Sequence, residues 1–224
     1  MERSRKVNDI VGVYILTSMF AVGFDDQVAE RLKQIITKRS NFAFVASEFK
    51  KGFEKNDRYF RHFLKMFENE GIYFDNSYVI DGRLSLQEAQ NAVARADVIW
   101  LSGGDSPAQI EYFKEYRLDS IIKEHSGVII GMSAGAINLA KTSICTIASG
   151  HDGQSVYDGL GCVDISVEPH FNATDVPEEI LALSEKYPIC GMCDESMVVC
   201  ENGVAEYYGK VFSIYRRKIV SLVL

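Results

Sequence analysis

A chain of 224 residues, 47% apolar and 25% charged, has room for one sizeable core and the composition of a globular domain. Its net charge of −7 argues against a nucleic-acid partner, which calls for a basic surface. No apolar run approaches the roughly 20 residues that a membrane-spanning helix needs.

The start, Met1-Glu2-Arg3-Ser4-Arg5-Lys6, is basic, but Asn8 and Asp9 precede the short apolar run from Ile10 and no small-residue cleavage site follows. It therefore does not read as a signal peptide. Five scattered cysteines, an odd number, make no disulfide framework. Reduced thiols and no export signal together point to the cytoplasm.

Gly12 to Leu16 reads as a first strand. From Asp26, Val28, Leu32, Ile35 and Ile36 recur at helical spacing. Asn41 to Ala46 is a second strand; Phe60, Phe63, Leu64 and Phe67 mark the buried face of a helix that Gly71 ends. Tyr73 to Ile80 is a third strand. Ser85 with Glu88 has capping-box spacing before a helix face of Ala89, Ala92, Val93 and Ala96. Val98 to Leu101 is a short apolar strand leading into Ser102-Gly103-Gly104-Asp105-Ser106-Pro107. Ser106 is the expected N-cap of the next helix and Pro107 its first residue. Val128 to Ile130 is another buried strand. Beyond residue 140, short strands (Ile144 to Ile147, Cys162 to Val167, Met197 to Cys200, Ala205 to Tyr208) outnumber helices, apart from one around Pro177 to Glu185. Strands alternating with amphipathic helices predict a largely parallel sheet covered on both faces. With no linker and no repeat, residues 1–224 read as a single domain.

Gly131-Met132-Ser133-Ala134-Gly135 has the pattern of a nucleophile elbow: a buried strand before the serine, small residues around it, an apolar helix after it. Such a turn strains the backbone, and only small residues admit the close chain approach. A tightly packed turn with Ser133 as a simple N-cap is the alternative. The second glycine turn also follows a buried strand, so both lie at carboxyl ends of strands, where ligands bind in such sheets. Amides of Gly103, Gly104 and Ala134 are then candidates for an oxyanion hole. A phosphate cradle is less well supported, since no lysine follows as in a nucleotide-binding loop.

Among the four histidines, His62 reads as surface, His125 as a helix end, and His151 sits in a Gly150–Gly153 loop within reach of the site. His170, in Glu168-Pro169-His170-Phe171-Asn172, follows a strand; Pro169 fixes the chain entering it and Phe171 can pack beneath it, as a general base requires. For the orienting acid, Asp194 and Glu195 interrupt an apolar stretch, with Asp152 and Glu168 as further candidates. Cys190 and Cys193 have redox-motif spacing but strand-like flanks, and the isolated Cys200 is insufficient for a structural zinc. No metal site is expected.

With Leu101-Ser102-Gly103-Gly104-Asp105-Ser106, Gly131 to Ala136 and Glu168-Pro169-His170-Phe171 in place, the chain resembles the aspartyl dipeptidase and cyanophycinase family of serine peptidases, from the first strand to about residue 208. The resemblance implies an α/β fold like the class I glutamine amidotransferases, a flavodoxin-like parallel sheet with helices on both faces. It implies Ser133 as nucleophile, His170 as base and the glycine turn with Ala134 as oxyanion hole. Gly191-Met192-Cys193-Asp194-Glu195 matches the family stretch that supplies an acid, and Glu195 fits that position better than Asp194; Asp152, between Ser133 and His170, is held in reserve. Aspartyl specificity would call for basic groups near the substrate. The segment after His170 is instead acidic (Asp175, Glu178, Glu179, Glu185), with only Lys186 basic, which leaves the substrate side chain open.

The expected function is a serine exopeptidase or dipeptidase that hydrolyses small peptides through an acyl-enzyme, with no cofactor. Its expected partner is a small peptide, with neither nucleic acid nor membrane; a homodimer is compatible with this. An α/β-hydrolase esterase fits worse, because the interval from Ser133 to His170 is too short for that fold's intervening acid and strands. From another class, a non-catalytic member of the amidotransferase-like fold would bind a small ligand or partner.

Overall fold

A computed structural model of the chain describes residues 12–223. The basic start and the apolar residue Ile10 lie outside the described residues. The first half alternates strand and helix: β1 (Val13–Thr17), α1 (Asp26–Ile35), β2 (Asn41–Val45), α2 (Phe53–Asn69), β3 (Asn76–Ile80), α3 (Leu86–Ala94) and β4 (Val98–Leu101). Two helices, α4 (Ser106–Glu115) and α5 (Leu118–Lys123), precede β5 (Val128–Met132), and α6 (Ala134–Leu139) follows it. The second half is strand-rich: β6 (Thr142–Cys145), β7 (Ser155–Asp158), β8 (Ser166–Pro169), α7 (Glu178–Leu183), β9 (Ile189–Met192), β10 (Met197–Glu201), β11 (Val204–Tyr208), β12 (Val211–Tyr215) and β13 (Lys218–Ser221).

The central sheet has the order β11-β10-β1-β5-β4-β2-β3; β1, β5, β4, β2 and β3 are parallel, and β10 pairs antiparallel with both β1 and β11. Strand alternation divides its apolar residues between two faces. Phe42, Phe44, Trp100 and Ile130 meet Val28 and Leu32 of α1 and Phe63 and Phe67 of α2. Ala43, Val45, Ile99 and Ile129 meet residues of α3 to α6, including Val93, Phe113, Ile122 and Ile137. Helices on both faces of a mostly parallel sheet are the architecture expected from the sequence.

Local signals explain most element ends. Ser85 and Glu88 form the expected capping box, and Gly71, at φ 75°, follows α2 in the left-handed conformation that ends it. The N-cap of α4 is Asp105 rather than Ser106. Asp105 is extended and its carboxylate accepts the Ala108 amide, so Ser106 and Pro107 already occupy the first turn. The predicted strand Cys162–Val167 is also different. The Leu160 and Cys162 amides donate instead to the Asn138 and Leu139 carbonyls at the end of α6, and the strand begins only at Ser166. A second sheet, β13-β12-β9-β8, and the hairpin β6-β7 complete the fold. No described helix is long and apolar enough to cross a membrane.

Candidate active site

In-register parallel pairing aligns the carboxyl ends of three strands: Leu16 of β1 and Leu101 of β4 both pair with Gly131 of β5. The turns beyond them, Ser18, Ser102–Gly104 and Ser133, are thereby brought side by side. Ser133 has φ 49° and ψ −106°, a conformation that L-residues rarely adopt, and its amide donates to the Thr17 carbonyl at 2.9 Å. The glycines around it are demanded by contact. A Cβ on Gly131 would lie 2.6 Å from the Gly135 carbonyl, and one on Gly135 would strike the Leu101 carbonyl. The turn can approach β4 this closely only without side chains there.

As an N-cap, Ser133 makes no side-chain bond to the helix it precedes. Its Oγ lies instead 3.2 Å from His170 Nε2. His170 follows β8 at φ 57°, and its Nδ1 is 2.7 Å from Asp194 Oδ1. Asp194 lies beyond β9, the strand that pairs in parallel with β8, and this pairing carries acid and base to the same edge. Phe171, the next residue, is buried against Phe212.

The carboxylate that meets His170 is therefore Asp194, not Glu195. Glu195 also has a positive φ, 62°, and its amide donates to the Met19 carbonyl, but its exposed side chain makes no hydrogen bond among the described residues. The backbone turns between the two acids, so adjacent carboxylates face different ways, a difference that sequence spacing does not show. The reserve acids lie elsewhere. Asp152 is exposed, and Glu168 is buried, accepting from Thr146 Oγ1 at 2.7 Å. Burial pushes Glu168 up to about 7. His151 pairs with Ser106 Oγ at 3.3 Å, and His125 is buried at the end of α5.

The glycine turn faces the serine. A Cβ on Gly103 would lie 3.4 Å from Ser133 Cβ; Gly104 has φ 145°, and a side chain there would strike Ser47. Ser47 Oγ donates to the Gly103 carbonyl at 2.8 Å, which turns the following Gly104 N–H the other way across the planar peptide. The amides of Gly103, Gly104 and Ala134 have no backbone acceptor among the described residues. Beside them a cleft of about 210 Å³ is lined by Lys55, Tyr59, Gly103, Gly104, Ser133 and His170. A second hollow, of about 390 Å³, shares Lys55, Tyr59 and the Ser102–Gly104 turn with this cleft and is also bordered by Lys51. The basic group lining the serine's cleft, Lys55, thus comes from α2 and not from the segment after His170.

A profile of peptidase family S51 matches residues 19–207. The chain belongs to peptidase family S51. Membership makes it a serine-type peptidase, and the matched span holds Ser133, His170 and Asp194. Among solved structures it is similar to a peptidase from an acI-B1 Actinobacterium, with 20% identity, a TM-score of 0.72, and 95% of this chain and 94% of that one covered. It is also similar to a protein assigned as peptidase E from Listeria monocytogenes EGD-e, with 20% identity, a TM-score of 0.68, and 88% and 98% covered. At that identity the likeness shows the fold alone. No curated protein sequence matches the chain.

Two features of this S51 peptidase are not legible in its sequence: the choice of Asp194 over Glu195, and the role of Ser18. Ser18 is fully buried, accepts the His170 amide at 2.8 Å and donates to Asp194 Oδ1 at 2.8 Å. Its only sequence signal is a small polar residue directly after the first strand. Cys190 lies in β9, where burial pushes its thiol up to about 12, the opposite of what a redox-active cysteine needs.

Proposed function

We propose that this S51 peptidase is an exopeptidase or dipeptidase that cleaves small peptides through an acyl-enzyme on Ser133. The observation that carries the reading is the continuous chain Ser133 Oγ–His170 Nε2 (3.2 Å) and His170 Nδ1–Asp194 Oδ1 (2.7 Å). Oγ attacks the peptide carbonyl carbon while its proton passes to Nε2. The carbonyl electron pair moves onto oxygen, opposite the amides of Ala134 and the Gly103–Gly104 turn. When the tetrahedral intermediate collapses, the C–N bond breaks and the amine departs with the proton held on Nε2. Water then repeats the sequence on the ester, with His170 again as base, and releases the acid and Ser133. These residues and water suffice for the cycle.

The small volume of the cleft beside Ser133 supports a small substrate, and Lys55 supports a substrate that carries an anionic group. An intact serine–histidine–carboxylate chain supports this reading over a non-catalytic binder. Five free thiols, Cys145, Cys162, Cys190, Cys193 and Cys200, support a cytoplasmic setting. The test is a screen of dipeptides, isoaspartyl dipeptides and arginine-bearing polyaspartate with wild type and Ser133→Ala. Wild type is expected to release free amine from at least one class and Ser133→Ala from none. Equal hydrolysis by both proteins would overturn the assignment.

A further inference from the structure

The tripeptide Thr17-Ser18-Met19 at the end of β1 touches every corner of the site. The Thr17 carbonyl accepts the Ser133 amide at 2.9 Å, and the Met19 carbonyl accepts the Glu195 amide at 2.8 Å. Between them, Ser18 Oγ lies 2.8 Å from both the His170 amide nitrogen and Asp194 Oδ1. The direction of each bond is fixed by chemistry. A backbone N–H can only donate and an ionised carboxylate can only accept, so the hydroxyl accepts from His170 and gives its single proton to Asp194. Oδ1 is also the oxygen that His170 Nδ1 meets at 2.7 Å. The bonds close a ring, from His170 N–H to Ser18, from Ser18 to Asp194, and back to the His170 imidazole.

We infer that Ser18 is a positioning residue of this peptidase, setting the Asp194 carboxylate and the His170 backbone so that Nε2 faces Ser133. Two features call for such a residue. The Asp194 side chain is 56% exposed on a turn, and an exposed carboxylate with no second anchor would rotate into water. His170 has φ 57°, a strained conformation that surrounding bonds must hold, and its amide bond to Ser18 is one of them. Ser18, fully buried beyond the central strand β1, is the rigid end of both contacts.

This role presupposes the serine-peptidase reading of the site, and the test separates the two. The rate of active-serine phosphonylation by a fluorophosphonate probe is measured for wild type, Ser18→Ala, Asp194→Ala and the double variant, with melting temperatures to confirm folding. Ser18→Ala is expected to slow labelling by roughly 10- to 100-fold, as misplacing a base commonly does. Because Ser18 acts both on the His170 amide and through Asp194, its removal in the Asp194→Ala background, where only the first part remains, should slow labelling by a factor at least threefold smaller. Labelling of Ser18→Ala at the wild-type rate, or factors that agree within threefold in the two backgrounds, would overturn the role while leaving Ser133 as nucleophile. A folded wild type that does not label overturns the underlying reading instead. Should Ser18→Ala fail to fold, Ser18→Cys, which keeps the side-chain shape with a slightly larger atom and weakens both bonds, is read in its place against the same criteria.

Discussion

Replacing Asp194 by Asn leaves most of the geometry and removes one charge. Both hydrogen bonds recorded for the carboxylate end on Oδ1, from Ser18 Oγ and from His170 Nδ1. An asparagine can keep an oxygen at that position and turn its NH2 toward solvent. Its cost is then the lost attraction between carboxylate and the imidazolium that forms as Ser133 gives up its proton. For unit charges about 4 Å apart that attraction is about 1 kcal/mol in water and about 4 kcal/mol at an effective dielectric of about 20. The His170 and Asp194 side chains are 33% and 56% exposed, which places the pair between these limits. A loss of about 2 kcal/mol slows reaction by roughly 30-fold. Asp194→Ala removes the oriented acceptor as well and should cost about tenfold more. Glu195→Gln, whose side chain makes no hydrogen bond among the described residues, should stay within about threefold of wild type. Rate constants for fluorophosphonate labelling provide the comparison, since they need no known substrate. Retained activity in Asp194→Asn with loss in Glu195→Gln would refute the reasoning.

Gly135→Ala drives a methyl group into the Leu101 carbonyl, and is expected to lower the melting temperature by several degrees, about 1–3 kcal/mol of overpacking; an unchanged melting curve would contradict the close-approach account of the elbow. Lys55→Met should raise KM for peptides with an extra carboxylate more than for neutral ones, with kcat little changed; equal effects on both would remove Lys55 from substrate recognition. Glu168 is raised to about 7 by burial, so the folded state binds more protons than the unfolded chain. Stability should therefore fall as pH rises from about 4.5 to about 7 and then level off, a loss of up to about 3 kcal/mol. Urea unfolding of wild type and Glu168→Gln across that range checks the sign, the variant lacking this contribution to the slope.

The parallel framework was legible because each element carried its own signal. Phe42, Phe44 and Trp100 alternate with Ala43, Val45 and Ile99 across the sheet faces, and the glycines of the elbow announced a close approach. Ser133 and His170 were legible for the same reason, each sitting in a short, unusual local pattern. The choice between Asp194 and Glu195 was not, because it depends on the positive φ at Glu195 and on which neighbour meets His170. The hydroxyl of Ser18, 152 residues away from His170 in the chain, likewise takes its meaning from the pairing of distant strands. Strands β12 and β13 were not legible, because short apolar runs near the chain end lack the helix spacing that framed the earlier strands.

If Ser133 is a nucleophile activated by His170, mass spectrometry should locate a single fluorophosphonate adduct on the peptide carrying Ser133, absent from Ser133→Ala and strongly slowed in His170→Ala. A folded wild type that takes no adduct, or takes it on another serine, would contradict that role for Ser133.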